Sequence, residues 1–325
     1  MENLRLKVSS TPHVREKISI EDVMLDVIIA LMPSAFAGVL IFGQRAFLVM
    51  LLSVVCCVGF EWLYQRIAHK KSTIGDMSAV VTGMLYAFCL PVNVPLYIVV
   101  IGALVAIVIV KQLFGGIGQN FMNPALVGRA FVLASFPLAM TTYSLDKINF
   151  FDSAAITGAT PLSSEFQGQI PTAMEQLFGF YKSGQPIPGC IGETCAIALL
   201  IGFAYLLIRR VISIRIPLAF IGSVMVMTWL CGDFAVASAQ NPVTAVLSGG
   251  VLLGAIFMAT DYVTSPTTPL GQIIFGIGCG VLTCVIRFWG GYPEGVSFAI
   301  LLMNILTPLL DRCTRPRPFG KVKER

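Results

Sequence analysis

Apolar runs of 16 to 20 residues recur along the whole chain, and that repetition leaves few architectures open. A run of this length and composition spans the hydrocarbon core of a bilayer as a helix. The runs lie at approximately 23–42, 47–63, 78–90, 94–113, 121–139, 189–208, 216–232, 243–259, 273–289 and 296–310. They lack the period-2 alternation of a membrane barrel. Only 12% of the residues are charged, against roughly a quarter in soluble domains. The expected fold is therefore an all-α polytopic membrane protein of about ten transmembrane helices. The third run has 13 residues. As a helix it would rise roughly 20 Å against a core of about 30 Å, so it is expected to be tilted, broken or packed inside protein beside a cavity.

Basic residues set the expected orientation. Arg66, Lys70 and Lys71 lie in the connector at 64–77, and Arg209, Arg210 and Arg215 at 209–215. Arg312, Arg315, Arg317, Lys321, Lys323 and Arg325 lie in the tail at 311–325. With ten spans these groups share a side with the basic segment 1–22, and that side is the cytoplasm. The segment carries Arg5, Lys7, Arg15 and Lys17 without an apolar core, which is unlike a cleavable signal peptide. The opposite side holds only Arg45, Lys147, Lys182 and Arg287. Both termini are then cytoplasmic, and the long polar loop at 140–188 is extracytoplasmic. Glu61 and Asp76 flank the first basic connector and are expected to pair there with Arg66, Lys70 or Lys71.

The two halves echo each other. Ser78-Ala79-Val80-Val81-Thr82-Gly83 matches Thr244-Ala245-Val246-Leu247-Ser248-Gly249. Pro95-Leu96, Gly102 and Gly115-Gly116 match Pro269-Leu270, Gly276 and Gly290-Gly291. Five spans per half would give two inverted membrane repeats, 23–139 and 189–310, an arrangement that places binding sites at the repeat interface near interrupted helices.

The nine cysteines match no zinc or cluster spacing and read as small buried apolar residues, so no metal site is assigned. The only histidines, His13 and His69, are in polar segments, which excludes bis-histidine haem ligation within the membrane. The net charge of +5 follows the cytoplasmic connectors and does not point to nucleic acid.

Four stretches carry candidate chemistry. Thr157-Gly158-Ala159-Thr160-Pro161-Leu162 lies in the polar loop. Gly158 and Ala159 leave room for a bulky group, and Pro161 biases Thr160 towards an extended conformation that presents its hydroxyl. An unassisted threonine needs a base or metal to act as a nucleophile, and none stands beside it in sequence. The second stretch, Gly115-Gly116-Ile117-Gly118-Gln119-Asn120-Phe121-Met122-Asn123-Pro124-Ala125, reads either as a helix cap or as a polar turn whose amides bond a ligand edge. Asp261 lies at the same expected side, at the end of the eighth run, as an interfacial acid or a ligand group. Glu193, in Gly189-Cys190-Ile191-Gly192-Glu193-Thr194-Cys195, either favours a helix N-terminus or contacts a cation.

Taken in order, these motifs resemble the family of RnfD and NqrB. They are Ser78–Gly83, Gly115-Gly116 with Asn120-x-x-Asn123-Pro124-Ala125, the Thr157–Leu162 run, Gly189-x-Ile191-Gly192-Glu193-Thr194 and Asp261-x-x-Thr264-Ser265-Pro266. The resemblance implies a membrane subunit of an Rnf complex, which passes electrons between ferredoxin and NAD and moves Na+ or H+ across a prokaryotic cytoplasmic membrane. It implies FMN linked through its phosphate to Thr160, within the (Ser/Thr)-Gly-Ala-Thr motif formed here by Thr157, Gly158, Ala159 and Thr160, with a separate flavin transferase making the bond. A second, non-covalent riboflavin would be held by Asn120, Asn123 and Asp261. The A, B, C, E and G subunits of Rnf are the implied partners, and the ends of the electron path would lie in them. The family motif usually has Asp three residues before its first Ser/Thr, whereas Ala154 stands there and the nearest acid is Asp152. The alternatives are an NqrB-type subunit of a Na+-pumping NADH:quinone reductase, usually longer at its N-terminus, and an inverted-repeat secondary transporter. The transporter leaves the Thr160 loop unexplained.

Overall fold

The computed structural model describes residues 19–144, 147–149, 157–163, 170–232, 240–290 and 294–315. Asp146, Asp152, Ala154, Glu165 and Gly291 lie outside them, as do most of segment 1–22 and most of the tail. The chain is predominantly helical. Four helices are long and apolar enough to cross a membrane: α1 (Ile20–Phe42), α2 (Gln44–Ile67), α12 (Pro269–Trp289) and α13 (Val296–Cys313). Shorter apolar helices fill the remaining runs: α3 (Ser78–Phe88), α4 (Leu96–Leu104), α5 (Pro124–Ser135), α8 (Ala196–Ile208) and α9 (Arg215–Cys231). The eighth run is broken into α10 (Pro242–Leu247) and α11 (Val251–Leu253).

α1 begins three residues before the expected span because Ser19 caps it. The Ser19 hydroxyl accepts from the Asp22 N–H, while the Asp22 carboxylate accepts from the Ser19 N–H. This reciprocal box satisfies two otherwise orphaned donors. The short third run packs inside protein: ten of the eleven residues of α3 are buried, with only Val80 left half-exposed. Its Gly83 lies against the Val54 backbone of α2, where a Cβ would come within 2.8 Å of Cα.

Small residues set other close approaches, as in membrane bundles where packing replaces the hydrophobic drive. Gly276 and Gly280 turn one face of α12 onto α9. A Cβ at either would approach the carbonyl oxygens of Ile216 and Phe220 at 2.8 and 2.7 Å. Gly202 of α8 lies similarly on the Ala30 carbonyl of α1. The outward faces of these helices carry exposed Phe36, Leu40, Leu51, Trp229 and Ile277, the pattern of a lipid-facing surface.

Two helices change pitch. α4 continues as a π-helical stretch over Val105–Gln112, with the Leu113 N–H bonded to the Val108 carbonyl five residues back. α11 continues likewise over Gly254–Met258, where the Ala259 N–H reaches the Gly254 carbonyl. Such π turns are rare and concentrate at functional sites.

The polar loop is partly structured. α6 (Pro137–Thr141) leads into β1 (Tyr143–Ser144), which pairs antiparallel with β2 (Thr157–Gly158). α7 (Ala173–Phe178) is capped by a Thr172–Glu175 box. Two helix ends expected on one side from the basic residues meet in space. Arg209, at the end of α8, pairs with Asp26 near the start of α1 at 3.1 Å.

Candidate functional site: two polar cavities in series

The first cavity gathers Asn120, Asn123 and Asp261, together with Ser78, Thr82 and Lys111. The two asparagines come from the turn before α5, and Asp261 from just beyond the second π stretch. Residues about 140 apart in sequence thus line one space, as their expected common side requires.

Asn123 is the N-cap of α5. Its Oδ1 accepts from the Ala125 N–H at 3.1 Å, and its Nδ2 donates to the Met258 carbonyl at 3.3 Å, tying the turn to the π stretch. The cap reading therefore holds for Asn123, and its amide is largely committed. Asn120 is buried and donates from Nδ2 to the Met122 carbonyl at 3.1 Å. Its Oδ1 has no partner among the described residues. Gly115, Gly116 and Gly118 all have positive φ, which gives this turn a course that L side chains rarely follow. Asp261 is half-buried and accepts from the Thr264 hydroxyl at 3.2 Å. Burial pushes its carboxyl up, against the lowering effect of the Val263 N–H and the Thr264 hydroxyl.

Lys111 is a cavity residue that sequence reasoning missed. It sits in the first π stretch, is 3% exposed, and pairs at 2.7 Å with Glu61, which is fully buried. Its Nζ also donates to Ser78 Oγ at 2.6 Å. Glu61 accepts further bonds from Thr73 Oγ1 at 3.0 Å and Gln65 Nε2 at 3.2 Å. The expected pairing of Glu61 with the local basic connector is thereby corrected. Asp76 instead accepts from Ser78, through its N–H and its hydroxyl, and Lys70 lies over the Tyr64 ring. The signal available in sequence was a lysine closing an apolar run, which reads equally well as an interfacial cation.

The second cavity is lined by Thr160, Gln176, Glu193, Thr194, Ser248 and Glu294. Gly158 and Ala159 are half-buried and do not line it, and the Thr157 backbone pairs with Ser144. Thr160 is only 6% exposed, so its hydroxyl is presented to an internal space and not, as Pro161 alone would suggest, to bulk solvent. The reason is tertiary. Leu162 is buried against Ala245 of α10, with Phe288 beside them, and draws the segment inward. Gln176 Oε1 and Thr194 Oγ1 line this cavity, are buried, and have no hydrogen-bond partner among the described residues.

Charged groups flank the second cavity. Glu193 is buried and accepts from the Cys190 N–H at 3.2 Å, bracing a turn instead of a helix N-terminus. Glu294 pairs with buried Arg129 and accepts from Tyr143 Oη at 2.9 Å and Cys190 Sγ at 3.5 Å. Cys190, Glu193 and Glu294 bring potential ligand atoms within 4.8 Å of one another, with the Arg129 guanidinium already on Glu294. Arg287 donates to the carbonyls of Ala245, Ser248 and Glu294, which holds the break between α10 and α11 open. All nine cysteines are free thiols.

The two cavities lie at opposite ends of one helical stretch. Leu247, Ser248 and Gly249 line the second, whereas Ile256, Phe257 and Asp261 line the first. The six residues between them, 250–255, rise roughly 9 Å.

A helical membrane protein with a broken, π-turned segment joining two polar cavities is the class that fold and site define. The particular family follows from sequence comparison: the profile of the NQR2, RnfD, RnfE family matches residues 7–320, and the chain belongs to it. It is 45% identical to the D subunit of the Na+-translocating ferredoxin:NAD+ oxidoreductase complex of Acetobacterium woodii, covering 99% of this chain and 98% of that one. It is 43% identical to the D subunit of the proton-translocating ferredoxin:NAD+ oxidoreductase complex of Clostridium ljungdahlii, covering 96% of each. It is also 36% identical to the D subunit of the ion-translocating oxidoreductase complex of Halorhodospira halophila, covering 96% and 95%.

Proposed function

We propose that this chain is the flavin-carrying membrane subunit of an Rnf-type complex that couples electron transfer between ferredoxin and NAD to ion translocation. The observation that carries the reading is the convergence of Asn120, Asn123 and Asp261 on one cavity, at the far end of a helical stretch from the cavity that contains Thr160. Relatives similar along nearly their whole length bear the names of such complexes, one naming Na+ and another the proton.

In this reading ten spans in two inverted five-helix repeats cross a prokaryotic cytoplasmic membrane, with both termini in the cytoplasm. The pairing of Arg209 with Asp26 supports a common side for the ends of α8 and α1. The first cavity then faces the cytoplasm, and the Thr160 cavity faces outward. The A, B, C, E and G subunits would supply the electron entry and exit, and a flavin transferase would load FMN onto Thr160.

The residues present fit such groups. Thr160 offers the hydroxyl for a phosphodiester, while Gln176 Oε1 and Thr194 Oγ1 offer unused polar atoms in the same buried space. In the first cavity Asn120 Oδ1 and the Asp261 carboxylate offer acceptors for ring N–H groups, and Asn123 fixes the turn that presents Asn120. A bound flavin supplies one- and two-electron transfer. The chain supplies partial enclosure: buried Val81, Leu85, Leu206 and Ile256 line the first cavity, and buried Leu162 and Ile187 the second. An electron crossing a potential of 100 mV gains or loses about 2.3 kcal/mol, enough to bias an ion step.

The test is a denaturing gel. The chain co-expressed with a flavin transferase is expected to fluoresce under ultraviolet light, and Thr160→Ala to lose the band while the protein remains. A wild-type chain without flavin under those conditions contradicts the reading.

A further inference from the structure

Lys111 is the only cation among the described residues lining the first cavity, and Asp261 the only carboxylate. The ammonium has three N–H donors. Glu61 and Ser78 take two, and the third has no protein partner among the described residues. Glu61 balances the charge from behind: it touches Lys111 but does not line the cavity. The Thr73 and Gln65 bonds fix Glu61, and Ser78 is fixed in turn by Asp76, so the ammonium is held from two directions. The π stretch supplies the placement. Val110, Lys111 and Gln112 close it, and all three are buried.

A cation kept in a low-dielectric wall acts more strongly than one in water. We propose that Lys111 is the positioning charge that sets the redox potential of the flavin in the first cavity, with Glu61 as its counterweight. This rests on the flavin reading above. One electron arrives from the reductant of the complex, no bond forms or breaks, and the charge of the cavity falls by one. The Lys111 ammonium lies nearer that charge than Glu61 does, so the pair as a whole favours the reduced form. Removing the ammonium must lower the potential, and neutralising Glu61 alone must raise it.

The experiment is a redox titration of the acid-extractable flavin in the purified complex, monitored by its absorbance, with dithionite and mediators. Lys111→Arg keeps the charge and is expected to stay near the wild-type potential. The double variant Lys111→Met/Glu61→Gln carries neither charge of the pair. It is expected to bind the electron about tenfold less well, a downward shift of about 59 mV for a one-electron couple. Glu61→Gln is expected to shift in the opposite direction. A merely structural pair would not move the potential with opposite signs. Retained flavin with unchanged potentials, or with shifts of the same sign in both neutralised variants, overturns the proposal alone. A wild-type complex without extractable flavin overturns it together with the reading on which it rests.

Discussion

Lys111 and Glu61, fifty residues apart in sequence, form an ion pair of 2.7 Å in which both side chains are buried. An ionisable residue within a membrane domain is costly, and it is kept where it pairs and serves a site. The pair joins the end of α2 to the π stretch after α4 and brings a full positive charge to the wall of the cavity that holds Asn120, Asn123 and Asp261.

Breaking this pair on one side leaves a buried charge uncompensated. Lys111→Met is expected to destabilise the protein by about 3–5 kcal/mol, and Lys111→Met/Glu61→Gln by much less, because the double change removes both charges. Thermal unfolding in detergent checks this. Equal losses in the single and double variants would contradict it.

The contact of α9 with α12 depends on the absence of side chains at Gly276 and Gly280. Gly280→Leu is expected to force the helices apart at a cost of at least about 1–3 kcal/mol. Gly222, with open space around its Cα, is expected to accept Ala with little change. Expression level and melting temperature of the two variants make the comparison.

In the polar loop, the Thr172 N–H, the Lys182 N–H and the Thr172 hydroxyl all donate to Glu175 and hold its carboxyl below the usual carboxylate range. A carboxyl depressed in the folded state stabilises above its unfolded value and loses that contribution as the pH falls through its folded value. Protection of the α7 amides relative to their intrinsic exchange rates is therefore expected to fall below about pH 4 in the wild type. In Glu175→Gln that protection is expected to be lower at neutral pH and to change little with acid.

The sequence revealed the helices well because an uninterrupted apolar run is a strong and local signal. The third run was recognisable as too short to span, and α3 is packed inside. The meeting of Asn120, Asn123 and Asp261 was legible because the expected span parity puts them at one end. Lys111 was not legible, since its partner is chosen by tertiary packing of α2 against the α4 extension and basic residues nearer Glu61 in sequence competed for it. The burial of Thr160 was equally hidden: it depends on Leu162 meeting Ala245 and Phe288, far along the chain. The two π stretches have no local sequence mark.

The central claim is that the two cavities each take a flavin, one tethered and one not. Its most direct test is the flavin content of the purified complex, divided into acid-extractable and acid-resistant fractions and assigned by variant. Asn120→Leu/Asp261→Leu is expected to lose an extractable flavin and keep the resistant one, whereas Thr160→Ala is expected to do the reverse. Flavin fractions that do not change in either variant, with the protein intact, would contradict the account.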